Sequence, residues 1–502
     1  MMKKDVIIGL IVAAMVPAPA CVFDPVADVT GDSGLPDAAV DSAVDARVDA
    51  RVDASDAADA LVDVVEPDAG CTNGFYRCNG DAREVCDNGV WTADQTCELG
   101  CDPAKRACRH VVASNNVDSV TTPNPVDWTV TGRVVVNTDN GLGAPGTVRF
   151  GPVQGNSCEG QDVDIGVFVV HDLVVQPGAE LVFRGSNAVA IRALGKVQIQ
   201  GIIRVSGGPE ACIDDASVRC AGPGGFWGAG RTGAGDSKAG DGPGGGGGGS
   251  TLGTNPTGGG GGGHLGAGGR GGNDTTLGVG ADGGSGGAAY GSDELQPLCG
   301  GSGGGSGGLR IDTSSADDHL SGGGGGGAIQ ITANESIDIS CQDEGTCGID
   351  AGGAGGEADH DDPYWSAGGG GGAGGAILLE AVSVQLTNGV LSVAGGGGGG
   401  GYNSGSECVD GEQAPFSGLR AAGGSGAMSG GDGAGGQGQD GTSAGDPGTD
   451  GDSGATGGGG GGAGRIHINT ANARPFGNNG MLNPGQAVPG VLTTGAVAAE
   501  AE

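Results

Sequence analysis

The stretch Leu173-Val174-Val175-Gln176-Pro177-Gly178-Ala179-Glu180-Leu181-Val182-Phe183-Arg184-Gly185 decides the fold class. Apolar residues stand at i and i+2, as Leu173 and Val175 and again as Leu181 and Phe183, with Gly178 and Gly185 at the breaks. The pattern continues through Val189-Ala190-Ile191, Val197-Gln198-Ile199 and Ile203-Arg204-Val205, so apolar pairs recur about every eight residues. Side chains alternate between the two faces of a strand, so each pair marks a short strand with one inward face. Three such strands with glycine corners would make a unit of about 24 residues, the size at which stacked units bury a continuous aliphatic ladder.

This region, residues 111–208, resembles the rungs of a parallel β-helix, and a β-sandwich is the alternative. The same phrases return downstream. Ala328-Ile329-Gln330-Ile331-Thr332-Ala333, Ala376-Ile377-Leu378-Leu379-Glu380-Ala381 and Gly464-Arg465-Ile466-His467-Ile468 each follow a glycine run and echo Ala190-Ile191-Arg192-Ala193. Val384-Gln385-Leu386 and Leu391-Ser392-Val393 echo the two strands that follow it. Residues 209–470 therefore read as further β-repeats interrupted by glycine-rich excursions, with runs at 244–249, 258–263, 322–327, 368–372, 395–401 and 457–462. The last copy keeps only its first strand, so residues 471–502 read as a tail. The expected fold class is all-β, solenoid-like and parallel.

Glycine supplies 119 of the 502 residues, without the strict period of three that would indicate collagen. Isolated glycine runs are costly to order. Packed side by side, they can adopt a threefold, polyglycine II-like helix whose backbones satisfy one another, a six-residue run then extending about 19 Å. Ordered packing of this kind and flexible linker loops are the two readings. The composition resembles that of the glycine-rich domains of anaplastic-lymphoma-type receptor kinases and of some phage tail-fibre adhesin tips. It also resembles the mycobacterial polymorphic glycine-rich surface proteins, whose characteristic N-terminal domain is lacking.

The N-terminus carries Lys3 and Lys4, an apolar stretch at 6–16 and then Ala18-Pro19-Ala20-Cys21, which predicts a signal peptide over residues 1–20. The last four residues resemble a bacterial lipobox, which implies lipidation at Cys21 and makes the membrane a partner through that lipid. Cleavage by a conventional signal peptidase would instead release a secreted protein. The expected location is the cell envelope, at the outer membrane or cell surface. Residues 21–70 are low complexity, with 13 acidic residues against Arg47 and Arg51 between 24 and 70, and read as a disordered, solvated tether. A helix is disfavoured because Asp41, Asp45, Asp49 and Asp53 would repel along one face.

Residues 71–110 hold Cys71, Cys78, Cys86, Cys97, Cys101 and Cys108, which in an exported chain predicts a stapled module of up to three disulfides. A zinc knuckle would show C-x2-C pairs, and none occurs. Asn88-Gly89 marks a hairpin turn, with Trp91 as its core plug. Elsewhere Cys212–Cys220 and Cys341–Cys347 are expected local pairs, Cys299 and Cys408 are expected to tie two excursions together, and Cys158 is left odd.

A net charge of −37 excludes a phosphate backbone as partner, so no nucleic acid is expected. Glycine-written motifs occur by chance in such a chain, and Gly31-Asp32-Ser33-Gly34 and Gly451-Asp452-Ser453-Gly454 lack the histidine and aspartate framework of a serine protease. Gly435–Ser443 resembles one calcium-binding nonapeptide of the RTX type, a motif that works only in tandem. One loop gathers chemistry: Glu357, Asp359, His360, Asp361, Asp362, Tyr364 and Trp365 combine carboxylates, an imidazole and two aromatics. They could hold a cation, stack on a sugar or do glycosidic chemistry, or form only a solvated acidic loop. No cofactor is expected and no metal is assigned. The function expected is non-catalytic structural or adhesive display, with a cell-surface glycan or protein as partner. The alternatives are a carbohydrate-binding or carbohydrate-cleaving β-helix protein and a disordered matrix component.

Overall fold

The computed structural model describes residues 70–501, apart from 214–216, 231–236, 251–254, 276–279, 310–319, 359–365, 403–407, 418–419, 427–433, 435, 437–444, 452–454, 474–475 and 485–490. The expected signal segment, Cys21 and the expected acidic tether lie outside the described residues. Among those residues regular structure is strand, with three short 3-10 turns and no α-helix.

The apolar pairs of the sequence form a 15-stranded, largely parallel sheet that is nearly barrel-shaped. Its strands lie in three stacks. The first contains Ile165–Val170, Ala188–Ala193, residues 328–333 and 376–381, Arg465–Thr470 and Leu492–Ala496, all parallel. The second contains Trp128–Val130, Leu173–Val175, Val197–Ile199, residues 337–339, 384–386 and 477–479. The third contains Arg133–Asn137, Glu180–Arg184, Ile202–Arg204, Gly348–Asp350, residues 390–392 and 481–483. The chain passes through the first, second and third stacks in turn and then returns to the first.

Register keeps like with like. Ile191 faces Ile331, which faces Leu379, which faces Ile468. Leu181, Ile203, Ile349, Leu391 and Leu482 line up in the third stack. Together with the second stack they form one continuous buried core, completed at its early end by tilted contacts of Phe168 with Trp128, Phe150 and Phe183. The first stack is buried on its outer face as well, where Val167, Ala190 and Leu378 meet Phe226, Tyr290, Leu295 and Leu298. Two-sided burial is why its strands read as nearly continuous apolar runs rather than as strict alternation.

The sequence reading ended the repeats at residue 470, and here the structure corrects it. Gly477–Asn483 pairs with Ala376–Ser392 across the second and third stacks, Leu492–Ala496 adds to the first, and Ala498–Ala501 pairs antiparallel with Ala107–Val112. Gly477-Asn-Asn-Gly-Met-Leu-Asn carries almost no apolar alternation, so its pairing rests on backbone bonds that periodicity does not register.

Every long insertion leaves the sheet at the same corner, between the third stack and the first: residues 205–327, 351–375 and 393–464. Their glycine runs lie side by side. Along 368–375 the backbone N–H groups turn to three neighbours in rotation. Gly368, Gly371 and Gly374 donate to Thr456, Gly459 and Gly462; Gly369, Gly372 and Gly375 donate to Glu357, Ala354 and Ala351; Gly370 and Ala373 donate to Gly305 and Ser302. The carbonyls accept from three more segments: Gly368 and Gly371 from Gly259 and Gly262, Gly369 and Gly372 from Gly399 and Gly396, Gly370 and Ala373 from Gly323 and Gly326. All these N···O distances lie between 2.7 and 3.0 Å, and each partner recurs at every third residue. The approach is closer than a side chain allows. A Cβ on Gly371 would lie 2.2 Å from the Gly396 oxygen, and one on Gly461 2.0 Å from the Gly372 oxygen.

In the stapled module, Ala82–Asp87 and Val90–Thr96 form the expected hairpin, with both Asn88 and Gly89 at positive φ. Trp91 does not plug a core. It is half-buried beneath the Arg77 guanidinium, 4.5 Å from the ring centre.

Candidate functional site

Six disulfides connect the described residues. The module is stapled Cys71–Cys86, Cys78–Cys101 and Cys97–Cys108, and Cys212–Cys220 and Cys341–Cys347 close the two short loops. The expected pairing of Cys299 with Cys408 is corrected: Cys299 bonds to Cys158, 141 residues away, and Cys408 stands outside these six bonds, buried with its Sγ 3.0 Å from the Gly401 carbonyl. The cause is local docking that no spacing rule reveals. The Asn156 side chain donates to the Leu298 carbonyl at 2.8 Å and accepts from the Leu298 N–H at 3.1 Å, which seats the neighbouring Cys158 against Cys299.

Of the acidic and aromatic loop, Asp359, His360, Asp361, Asp362, Tyr364 and Trp365 lie outside the described residues. Glu357 is described, and its carboxylate accepts from the Ser321 backbone N–H at 3.2 Å, closing the end of a glycine run.

Two polar groups are buried against the first stack. Glu380, 1% exposed, accepts from the Ser114 N–H and hydroxyl, Gln330 Nε2, Thr332 Oγ1 and Asn469 Nδ2, at 2.6 to 3.3 Å. It fastens residues 113–119 to three successive strands of that stack. His264 donates from Nδ1 to the Gly374 carbonyl at 3.0 Å and packs on Tyr290, ring centres 5.0 Å apart. Burial, with the Arg465 guanidinium nearby, pushes the imidazole down to about 4, and burial also pushes the Tyr290 phenol up. These contacts join the sheet to the glycine region and leave neither group facing an opening.

On the outer face of the third stack Arg204 bridges Glu180 at 2.6 Å and Asp350 at 2.7 Å, and Arg133 holds Glu180 from the other side. Burial raises the Asp350 carboxyl against the pull of Arg204, while the guanidiniums overcome burial and hold Glu180 low. Asp127, His171 and Asp172 form the one group of metal-ligating atoms among the described residues. His171 Nδ1 is 3.1 Å from Asp127, and Asp172 accepts from the Lys196 N–H at 2.7 Å. Hydrogen bonding accounts for this exposed arrangement.

Among the described residues the concavities include one of about 330 Å³ beside Arg204, Glu210 and Asp350, and two larger ones. A cleft of about 970 Å³ separates the stapled module from the sheet, with Arg83, Glu98, Arg109, His110 and Glu335 on its walls, charges of both signs. A second groove, of about 440 Å³, is lined by Gln161, Asp162, Ser186, Phe226, Trp227 and Asp241. Trp227 is 50% exposed there. Its carbonyl accepts from the Asp241 N–H at 2.9 Å, the Asp241 carbonyl accepts from Gly303, and Phe226 donates to Gly301. The opposite wall is the short hairpin Ser157–Cys158 and Gln161–Asp162, held by the Cys158–Cys299 bond. Neither Asp162 nor Asp241 has a side-chain partner among the described residues. The sequence reading passed over this site. Its available signal was Gly225-Phe226-Trp227-Gly228, two adjacent aromatics inside a glycine excursion of a chain with 3% aromatics.

Against known proteins, no family model matches the chain, and no curated protein or solved structure shows significant similarity to it.

Proposed function

We propose that this is an exported, lipid-anchored surface protein whose solenoid-like body carries a rigid polyglycine lattice for structural or adhesive display. Cys21 carries the lipid at the outer membrane or cell surface, the acidic segment sets the distance from the membrane, and the body is the displayed part. One observation carries the reading: the hydrogen bonds of residues 368–375, which recur every third residue and run to six neighbouring segments. A threefold backbone helix turns its donors by a third of a turn per residue, which is the geometry that pattern needs. A disordered matrix component would leave the same groups to water. Departure of every long insertion from one corner, and six disulfides, fit a body selected for rigidity in an oxidising compartment.

The test is intact mass of the mature protein from the membrane fraction, with and without reduction. A diacylglyceryl-modified Cys21, and a gain on reduction of two hydrogens for each of six disulfides, are the expected results. An unmodified Cys21 on soluble protein would make this a released factor, and reduced thiols throughout would end the export reading.

A further inference from the structure

The Trp227 groove combines three properties that together define a ligand class. Trp227 is half-exposed in a concavity, and an exposed indole attracts flat apolar groups and cations. Every charged side chain among the described lining residues is acidic: Asp162 on one side and Asp241 on the other. Both walls are also fixed. Trp227 and Asp241 share a backbone hydrogen bond, and the hairpin bearing Asp162 is bonded covalently through Cys158–Cys299 to the segment that accepts from Phe226 and donates to Asp241. A preformed groove spends little binding energy on ordering itself.

A neutral sugar would use the tryptophan face but leave two carboxylates without a countercharge. An anion would be repelled. A basic side chain satisfies all three elements: its cationic head meets the carboxylates, its charge sits over the indole, and an ammonium or guanidinium has only donors to offer a wall of acceptors. The long-range field of a chain with net charge −37 would draw the same ligand in.

We propose that this groove binds a lysyl or arginyl side chain of a partner polypeptide at the cell surface. The inference rests on the display reading only for where the partner is met. Loss of binding at the groove would leave the lipid and disulfide results untouched, so the two fail separately.

The experiment is calorimetric titration of the full mature protein with Nα-acetyl-lysine methylamide and Nα-acetyl-arginine methylamide. The uncharged Nα-acetyl-norleucine methylamide and the disaccharide cellobiose serve as controls. We expect a basic derivative to bind at least about fivefold more tightly than norleucine, and about fivefold more weakly to W227A. Binding should also weaken in Asp241→Asn and at high salt. The half-exposed position of Trp227 makes W227A a tolerable change, and the isosteric Asp241→Asn gives an independent reading. Cellobiose or norleucine binding as tightly as the basic derivatives would overturn the proposal. So would basic-derivative binding unchanged in W227A.

Discussion

Ile331 in the sheet and Gly371 in the glycine region are both fully buried, and each sits between neighbours of its own kind. Ile331 lies between Ile191 and Leu379, in strands that hydrogen-bond to two partners and fill the space between sheet walls with side chains. Gly371 donates to Gly459 and accepts from Gly262, while the residues beside it do the same with four other segments. A strand reserves its faces for side chains, so its stability comes mainly from apolar area removed from water. A glycine run has no side chain to bury. It must gain from backbone groups satisfied in every direction and from backbones close enough for dispersion. The difference predicts opposite responses to added and removed methyl groups.

The largest effect should follow Gly371→Val. Its Cβ alone would fall 2.2 Å from the Gly396 oxygen, so several mutually bonded segments would have to part. We expect a loss of roughly 4 kcal/mol or more and little folded protein, read by yield and thermal melting. Near-wild-type stability would mean that the runs are not packed as described. Ile331→Ala in the sheet should cost about 3 kcal/mol, the ordinary price of a core cavity, with the fold retained.

His264 tests the seam between the two regions. Its folded value near 4 lies below its ordinary 6.5, so below pH 6.5 the unfolded chain takes up a proton that the folded chain refuses. The contribution is complete above pH 6.5 and is lost as pH falls towards 4, a difference of about 3 kcal/mol. Melting curves from pH 7 to pH 4.5 should therefore fall less steeply for His264→Asn than for the wild type. Equal slopes would show that the imidazole is hydrated. The smallest effect is reserved for Ala373→Gly, which removes one methyl from within the glycine region and leaves its hydrogen bonds to Ser302 and Gly326 in place. Equilibrium unfolding should show a loss of about 1 kcal/mol.

Much of this was legible in the chain itself. Alternation in 173–205 marked five strands close to their observed limits, and the repeated Ala-Ile phrases placed later strands in the same sheet. Asn88-Gly89 gave its hairpin, and the short spacings of Cys212 and Cys220, and of Cys341 and Cys347, gave their disulfides. These are signals of short range, where one residue's choice constrains the next few.

Other features were decided only by tertiary structure. Gly477–Asn483 joins the sheet because an existing strand offers unpaired backbone groups, whatever the side chains beside it. Cys158 meets Cys299 because Asn156 docks on Leu298, and Glu380 finds its partners on three separate segments. The Trp227 groove exists only where residues 161–163, 185–186 and 221–242 come together. Periodicity and composition state which residues must be hidden and which backbones can approach. Which segment hides or approaches which is settled by packing in three dimensions, where contacts distant along the chain compete for the same space.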